Sequence, residues 1–280
     1  MMRSSLVSTQ WLAERLDAPD IRVADASWYL PQAARNPRAE YESAHIPGAV
    51  FFDIEDLSDE KNPLPHMLAP APKFSSRMRR LGLGDGNMIV VYDGAGLYSA
   101  PRAWWMLRAM GHEEVFVLDG GLPKWKREGR PIEDLPAHPF PRHFTARPNN
   151  ALVRDYAQVR HALDTVSAQI GDARSRPRFL GRDAEPRPDV RPGHIPGAIN
   201  IPYTELTAAD GSLKSRAELR DLFGSLGLDT GKPVITTCGS GVTAAILMLA
   251  LTEAGAGHVA LYDGSWADWG ARKDASIETG

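Results

Sequence analysis

One cysteine in 280 residues, Cys238, leaves no partner for an intramolecular disulfide and no set of thiolates for a structural zinc site. An excess of one charge is missing too. The 32 Lys plus Arg stand against 35 Asp plus Glu, a formal charge of −3 without long like-charge blocks. That leaves no basic stripe for nucleic acid and no polybasic anchor for an anionic membrane. The longest uncharged run, Pro233 to Thr252, carries Gly239 and Gly241 in its middle, which split it into a short strand and a helix rather than a membrane span. Met1 to Ser8 lacks a continuous apolar core followed by a small-residue cleavage site and does not read as a secretory signal. With a lone thiol, that points to the reducing cytoplasm. What is present, 43% hydrophobic and 24% charged residues, suits a chain that buries a core. At about 100–200 residues per domain, two domains are expected.

Self-comparison divides the chain. His45-Ile46-Pro47-Gly48-Ala49 returns as His194-Ile195-Pro196-Gly197-Ala198, and Asp119-Gly120-Gly121 with Trp125 returns as Asp263-Gly264-Ser265 with Trp269. A near-constant offset means one structural unit built twice. Between the copies, Glu133 to Asn150 holds Pro136, Pro139, Pro141 and Pro148, which argue against helix or central strand. The expected division is an N-terminal domain over 1–135, a linker over 136–150 and a C-terminal domain over 151–280. Each half alternates short β-branched runs with amphipathic stretches, which predicts an α/β fold, each unit a parallel sheet with helices on both faces. Strands are expected near 21–24, 88–92, 115–118, 178–180, 233–237 and 258–261. Helices are expected near 8–16, 74–81, 101–110, 154–165, 216–226 and 242–254.

The central motif is a buried-strand pattern, Val234 to Thr237, then Cys238-Gly239-Ser240-Gly241, then an apolar helix from Val242 and Thr243. A cysteine thus stands at a strand's carboxyl end on a glycine loop that feeds a helix N-terminus, where backbone N–H groups favour an anion and a thiol is expected to be acidified. Cys238 is the candidate nucleophile. At the matching place the first copy has Asp93, so one half has no nucleophile.

These motifs resemble the two-domain sulfurtransferases, the superfamily of rhodanese and 3-mercaptopyruvate sulfurtransferase. The resemblance covers nearly the whole chain: both His-Ile-Pro-Gly-Ala boxes, Phe51-Phe52-Asp53-Ile54, Val91-Tyr92-Asp93-Gly94, Tyr262-Asp263-Gly264-Ser265-Trp266 and the cysteine loop. It implies two tandem rhodanese-like domains, the second catalytic. Thiosulfate-using members carry basic residues after the cysteine, whereas Cys238-Gly239-Ser240-Gly241-Val242-Thr243 is similar to the mercaptopyruvate-using members. A neutral loop suits a substrate with a single carboxylate. The resemblance further implies that Arg178 and Arg187 hold that carboxylate, that the loop from Gly239 to Thr243 binds the persulfide, and that Ser240, His66 and Glu55 relay protons. Here the chain departs from members with Asp in place of Glu55. The implied acceptor is a thiol such as thioredoxin or glutathione, or cyanide, with no metal or cofactor.

Other readings are weaker. His45 and His194 repeat, and a residue kept also in the half that lacks cysteine reads as structural, an anchor of the following turn. Asp93-Gly94-Ala95-Gly96 lacks the third glycine of a dinucleotide fingerprint. His138 and His143 have no third ligand. Trp104, Trp105, Trp125, Trp266 and Trp269 read as core or interface. A Cys-x5-Arg phosphatase loop would need arginine where Ala244 stands. Thiosulfate:cyanide sulfur transfer and a non-catalytic sulfur-binding scaffold remain the alternatives.

Overall fold

A computed structural model describes residues 4–280 of the chain; Met1 to Arg3, the start of the stretch weighed as a leader, lie outside the described residues. In the first copy β1 (Leu6–Val7), α1 (Thr9–Ala13), β2 (Ile21–Asp25), α2 (Pro37–Ser43), β3 (Val50–Phe51), α3 (Ala71–Arg80), β4 (Met88–Tyr92), α4 (Ala100–Ala109), β5 (Val115–Leu118) and α5 (Gly121–Arg127) follow one another. The second repeats the scheme with β6 (Val153–Arg154), α6 (Tyr156–Asp164), β7 (Gln169–Asp172), α7 (Arg176–Phe179), β8 (Ile199–Asn200), α8 (Arg216–Ser225), β9 (Val234–Thr237), α9 (Val242–Ala254), β10 (Val259–Tyr262) and α10 (Ser265–Trp269). The two five-stranded sheets, ordered β1-β5-β4-β2-β3 and β6-β10-β9-β7-β8, are parallel throughout and share one topology.

Alternation along the strands decides which helices cover which face. In β4, Ile89 and Val91 pack toward α3 and α4, while Val90 and Tyr92 pack toward α1 and α5. The face of the second sheet that carries α8 and α9 joins the α3–α4 face of the first in one apolar cluster, with α4 against α9 at its centre. Because α9 is apolar on all sides, it can be buried between its own sheet and the other domain. This contact brings the first domain up to the loop before α9. Residues 136–149 form neither helix nor strand and run along the first domain, where Ala146 N–H bonds Ser75 Oγ and Arg147 N–H bonds the Met110 carbonyl.

One expected strand is wrong. Residues 178–180 fall at the end of α7, and the strand of that unit is β7, nine residues earlier. Pro177 explains the difference: it fits the first turn of a helix, but a central strand would lose a ladder donor there. The paired histidines are structural. His45 Nδ1 bonds the Tyr41 carbonyl at 2.6 Å and His194 Nδ1 the Phe179 carbonyl at 2.8 Å. Their main chains pair with Glu133 and Glu278, whose carboxylates accept from Gly48 and Gly197 N–H.

The copies differ in how they neutralise one buried carboxylate. At the end of β7, Asp172 is paired with Arg174 at 2.6 Å, whereas its counterpart Asp25, at the end of β2, has Ser27 N–H at 2.8 Å and no cation. Burial, the largest cause, pushes the Asp25 pKa up to about 6. Since this is above the unfolded value, the folded state binds the extra proton between those two pKa values, and stability is lost as pH rises through 6. The group is expected to withdraw up to about 3 kcal/mol between pH 4 and pH 8. Urea unfolding across that range should show a flatter profile for Asp25→Asn. An unchanged slope would refute the assignment.

Candidate active site

The Cys238 loop is held from both sides. Trp266 N–H bonds the Cys238 carbonyl at 2.9 Å, Ala267 N–H bonds the Gly239 carbonyl at 3.0 Å, and Gly241 N–H points at Cys238 Sγ at 3.2 Å. Gly241 has φ +82°, and a Cβ there would lie 2.7 Å from an Arg102 nitrogen, so this position needs glycine twice over. Val242 is buried at the start of α9 and Thr243 is partly exposed beside it. Cys238 itself is only 2% exposed, yet it faces charge as well as core. The guanidinium groups of Arg174 and Arg187 both lie within its electrostatic reach.

The first copy displays what this loop geometry binds. Asp93 occupies the place of Cys238, and its carboxylate accepts four backbone N–H groups: Ala95 at 2.9 Å, Tyr98 at 2.8 Å, Ser99 at 2.9 Å and Ala100 at 2.8 Å. A shift of 145 residues carries Asp93 onto Cys238 and these donors onto Ser240, Thr243, Ala244 and Ala245. Turned toward one point at a helix start, such amides form an anion cradle.

Across the domain boundary, Ser240 Oγ lies 3.0 Å from His66 Nδ1, and His66 Nε2 lies 3.0 Å from Glu55 Oε1. The carboxylate can only accept, so a neutral imidazole carries its proton on Nε2 and accepts from the Ser240 hydroxyl at Nδ1, which also lies 3.3 Å from the Ser240 carbonyl. Trp28 Nε1–H donates to the same Glu55 oxygen at 2.8 Å, and its ring meets the imidazole edge-on at 4.8 Å. The His66 hydrogen bond, first among the causes, holds the Glu55 carboxyl below its usual range. His66 adopts φ +61°, a left-handed backbone that costs a non-glycine residue about 1 kcal/mol or more. Its counterpart two residues before the equivalent bridge in the second copy is Gly211, at φ +82°. Only the half that faces the cysteine loop accepts that strain for an imidazole.

The arginines divide by burial. Arg178 Nη2 lies 3.2 Å from where a Cβ of Gly239 would stand and bonds Glu185 Oε2 at 2.5 Å. Arg174 is sealed below, bridging Asp172, Glu185 and the Gly193 carbonyl. Arg187 makes no hydrogen bond or ion pair among the described residues. Burial, and then Arg178, lower its pKa, while Cys238, Glu185 and Glu55 oppose them. Arg176 and Arg182 are exposed, and Arg191 serves the main chain of the C-terminal segment. Cys238, Ser240, His66, Glu55, Arg178 and Arg187 therefore lie near one another where the two domains meet.

Sequence reasoning missed Trp28, Tyr98 and Tyr203, an aromatic shelf joining both domains with ring centroids 6.3 and 5.6 Å apart. It also missed Glu185, Arg102 and Asp263 as partners. A buried charge leaves no periodic signal, although the Asp263 motif recurs in both copies. Among the described residues no group of three or more His, Cys, Asp or Glu is placed to hold a metal ion, and no helix is long and apolar enough to cross a membrane.

Comparison with known proteins agrees with the fold. The rhodanese-like domain family matches twice, over residues 8–128 and 155–272. The 3-mercaptopyruvate sulfurtransferase of Escherichia coli K12 is 46% identical over 279 residues, 99% of either chain, and the one from Homo sapiens is 45% identical over 271 residues, 95% of this chain and 91% of that protein. The crystal structure of SseA from Escherichia coli, described as a 3-mercaptopyruvate sulfotransferase, superposes with a TM-score of 0.87 at 45% identity, covering 94% of this chain and 99% of that one. The chain thus belongs to the family of rhodanese-like domain proteins, with two such domains in tandem, and within it stands with the 3-mercaptopyruvate sulfurtransferases.

Proposed function

We propose that the protein takes the sulfur of 3-mercaptopyruvate as a persulfide on Cys238 and passes it to a thiol or to cyanide. The observation that carries this reading is the Ser240–His66–Glu55 chain, which reaches the cysteine loop from the other domain. The Cys238 thiolate attacks the substrate sulfur, the carbon–sulfur bond breaks, and the electron pair leaves on the enolate of pyruvate. The substrate's thiol proton, relayed by Ser240 and His66, ends on the carbon that lost sulfur, so the products are pyruvate and a persulfide anion. The cradle amides named above support that anion. Arg178 and Arg187 orient the carboxylate and the keto oxygen. The acceptor then attacks the outer sulfur and returns Cys238 as thiolate. Thioredoxin and glutathione fit as thiol acceptors.

In this reading residues 136–150 link a supporting domain, 1–135, to a catalytic one, 151–280. A lone nucleophilic thiol suits a reducing cytoplasm. Mass spectrometry after incubation with 3-mercaptopyruvate is expected to show one added sulfur on Cys238, and an unchanged mass would favour a scaffold. Because the residue two after the cysteine is Ser240 rather than a cation, kcat/KM for 3-mercaptopyruvate is expected to exceed that for thiosulfate by at least about tenfold. The reverse order would assign the chain to thiosulfate:cyanide transfer.

A further inference from the structure

Below the cysteine loop lies a fully buried cation that the sulfur chemistry does not use. Arg102, 0% exposed, sits in α4 of the first domain. Its Nη2 donates to Asp263 Oδ1 of the second domain at 2.7 Å and to the His66 carbonyl, and Nη1 donates to the Gly241 carbonyl at 3.4 Å. The other oxygen of Asp263 accepts Leu68 N–H at 2.7 Å, so the loop bearing His66 is tied at two points. The guanidinium lies over the Trp105 ring, 4.2 Å from its centroid.

The duplication shows which part of this arrangement is general. Asp119, the counterpart of Asp263, accepts Leu213 N–H at 2.8 Å, just as Asp263 accepts Leu68 N–H; each domain's aspartate thus caps the other's loop. The arginine has no such twin. At the matching turn of α9 stand Ile246 and Leu247, and the loop opposite Asp93 carries Gly211 instead of an imidazole. A buried cation is therefore present only on the side where a histidine must meet the loop of the cysteine.

We propose that Arg102 is a positioning residue whose guanidinium grips the His66 and Gly241 carbonyls together and so sets the imidazole against Ser240. A planar fork can span two carbonyls and a carboxylate, whereas an ammonium cannot hold the same directions. This rests on the sulfurtransferase reading for its rate effect but not for its geometry.

The test uses Arg102→Lys and Asp263→Asn in the full chain, the second keeping its shape should the first fail to fold. With 3-mercaptopyruvate, kcat is expected to fall about 30-fold in Arg102→Lys while KM moves by less than about threefold. In a His66→Ala background the same change is expected to cost less than about threefold more, because it acts through that imidazole. The imidazole 15N resonances of His66 are expected to shift in both variants. Lower thermal stability with kcat and resonances unchanged, or full multiplicative losses on His66→Ala, would overturn the proposal. If the unaltered protein turned over no 3-mercaptopyruvate, the functional reading would fail, and the His66 resonances would still decide the role of Arg102.

Discussion

Cys238→Ser is expected to abolish the gain of sulfur on incubation with 3-mercaptopyruvate and to lower turnover by at least about a thousandfold, the scale on which loss of a covalent nucleophile is felt. The fold should persist. Sγ accepts one backbone N–H and otherwise meets a buried loop, and a hydroxyl can take the same bond in slightly less volume. Unfolding temperature and circular dichroism close to those of the parent, with turnover gone, would separate chemistry from stability. Retained pyruvate release would mean that the sulfur never rests on this residue. The copy with Asp93 supplies the contrast: its cradle is already filled by a side-chain anion, so the first domain is expected to gain no sulfur in the same experiment.

Much of this was legible in the residues because the chain is doubled. The repeated boxes gave two equal α/β units, and the strand–glycine–helix pattern placed Cys238 at a carboxyl edge before any geometry was known. The duplication held more than was read from it. Shifting Ile21–Asp25 by the 147 residues that carry Asp25 onto Asp172 gives 168–172, which covers Gln169–Asp172, the strand expected instead around Arg178. Asn36-Pro37 also carries an N-cap followed by a first-turn proline, the signal for α2, which has Asn36 Oδ1 on Ala39 N–H. The polar partners were not legible. Arg102 on Asp263 and Arg174 on Glu185 are pairs set by the tertiary fold, and a buried arginine in a string looks the same as a surface one. Arg178 and Arg187 were singled out among six neighbouring arginines by family resemblance alone, whereas the structure separates them by what each touches.

That separation gives the second large effect. Arg178 is already paired with Glu185, so Arg178→Met leaves a carboxylate that is 3% exposed with one cation fewer, and both stability and substrate affinity should suffer. Arg187 stands half-buried with no hydrogen bond or ion pair among the described residues, and burial, then Arg178, disfavour its charge against the pull of Cys238, Glu185 and Glu55. Arg187→Met is therefore expected to leave the unfolding temperature unchanged or slightly raised, while KM for 3-mercaptopyruvate rises about 100-fold, the scale of removing one partner from a shielded charge pair. Binding of 3-mercaptopyruvate should correspondingly raise the melting temperature of the Cys238→Ser protein, and this gain should vanish when Arg187→Met is added. Equal losses of stability in the two arginine variants, or an unaltered KM in Arg187→Met, would show that the unpaired guanidinium does not await the substrate.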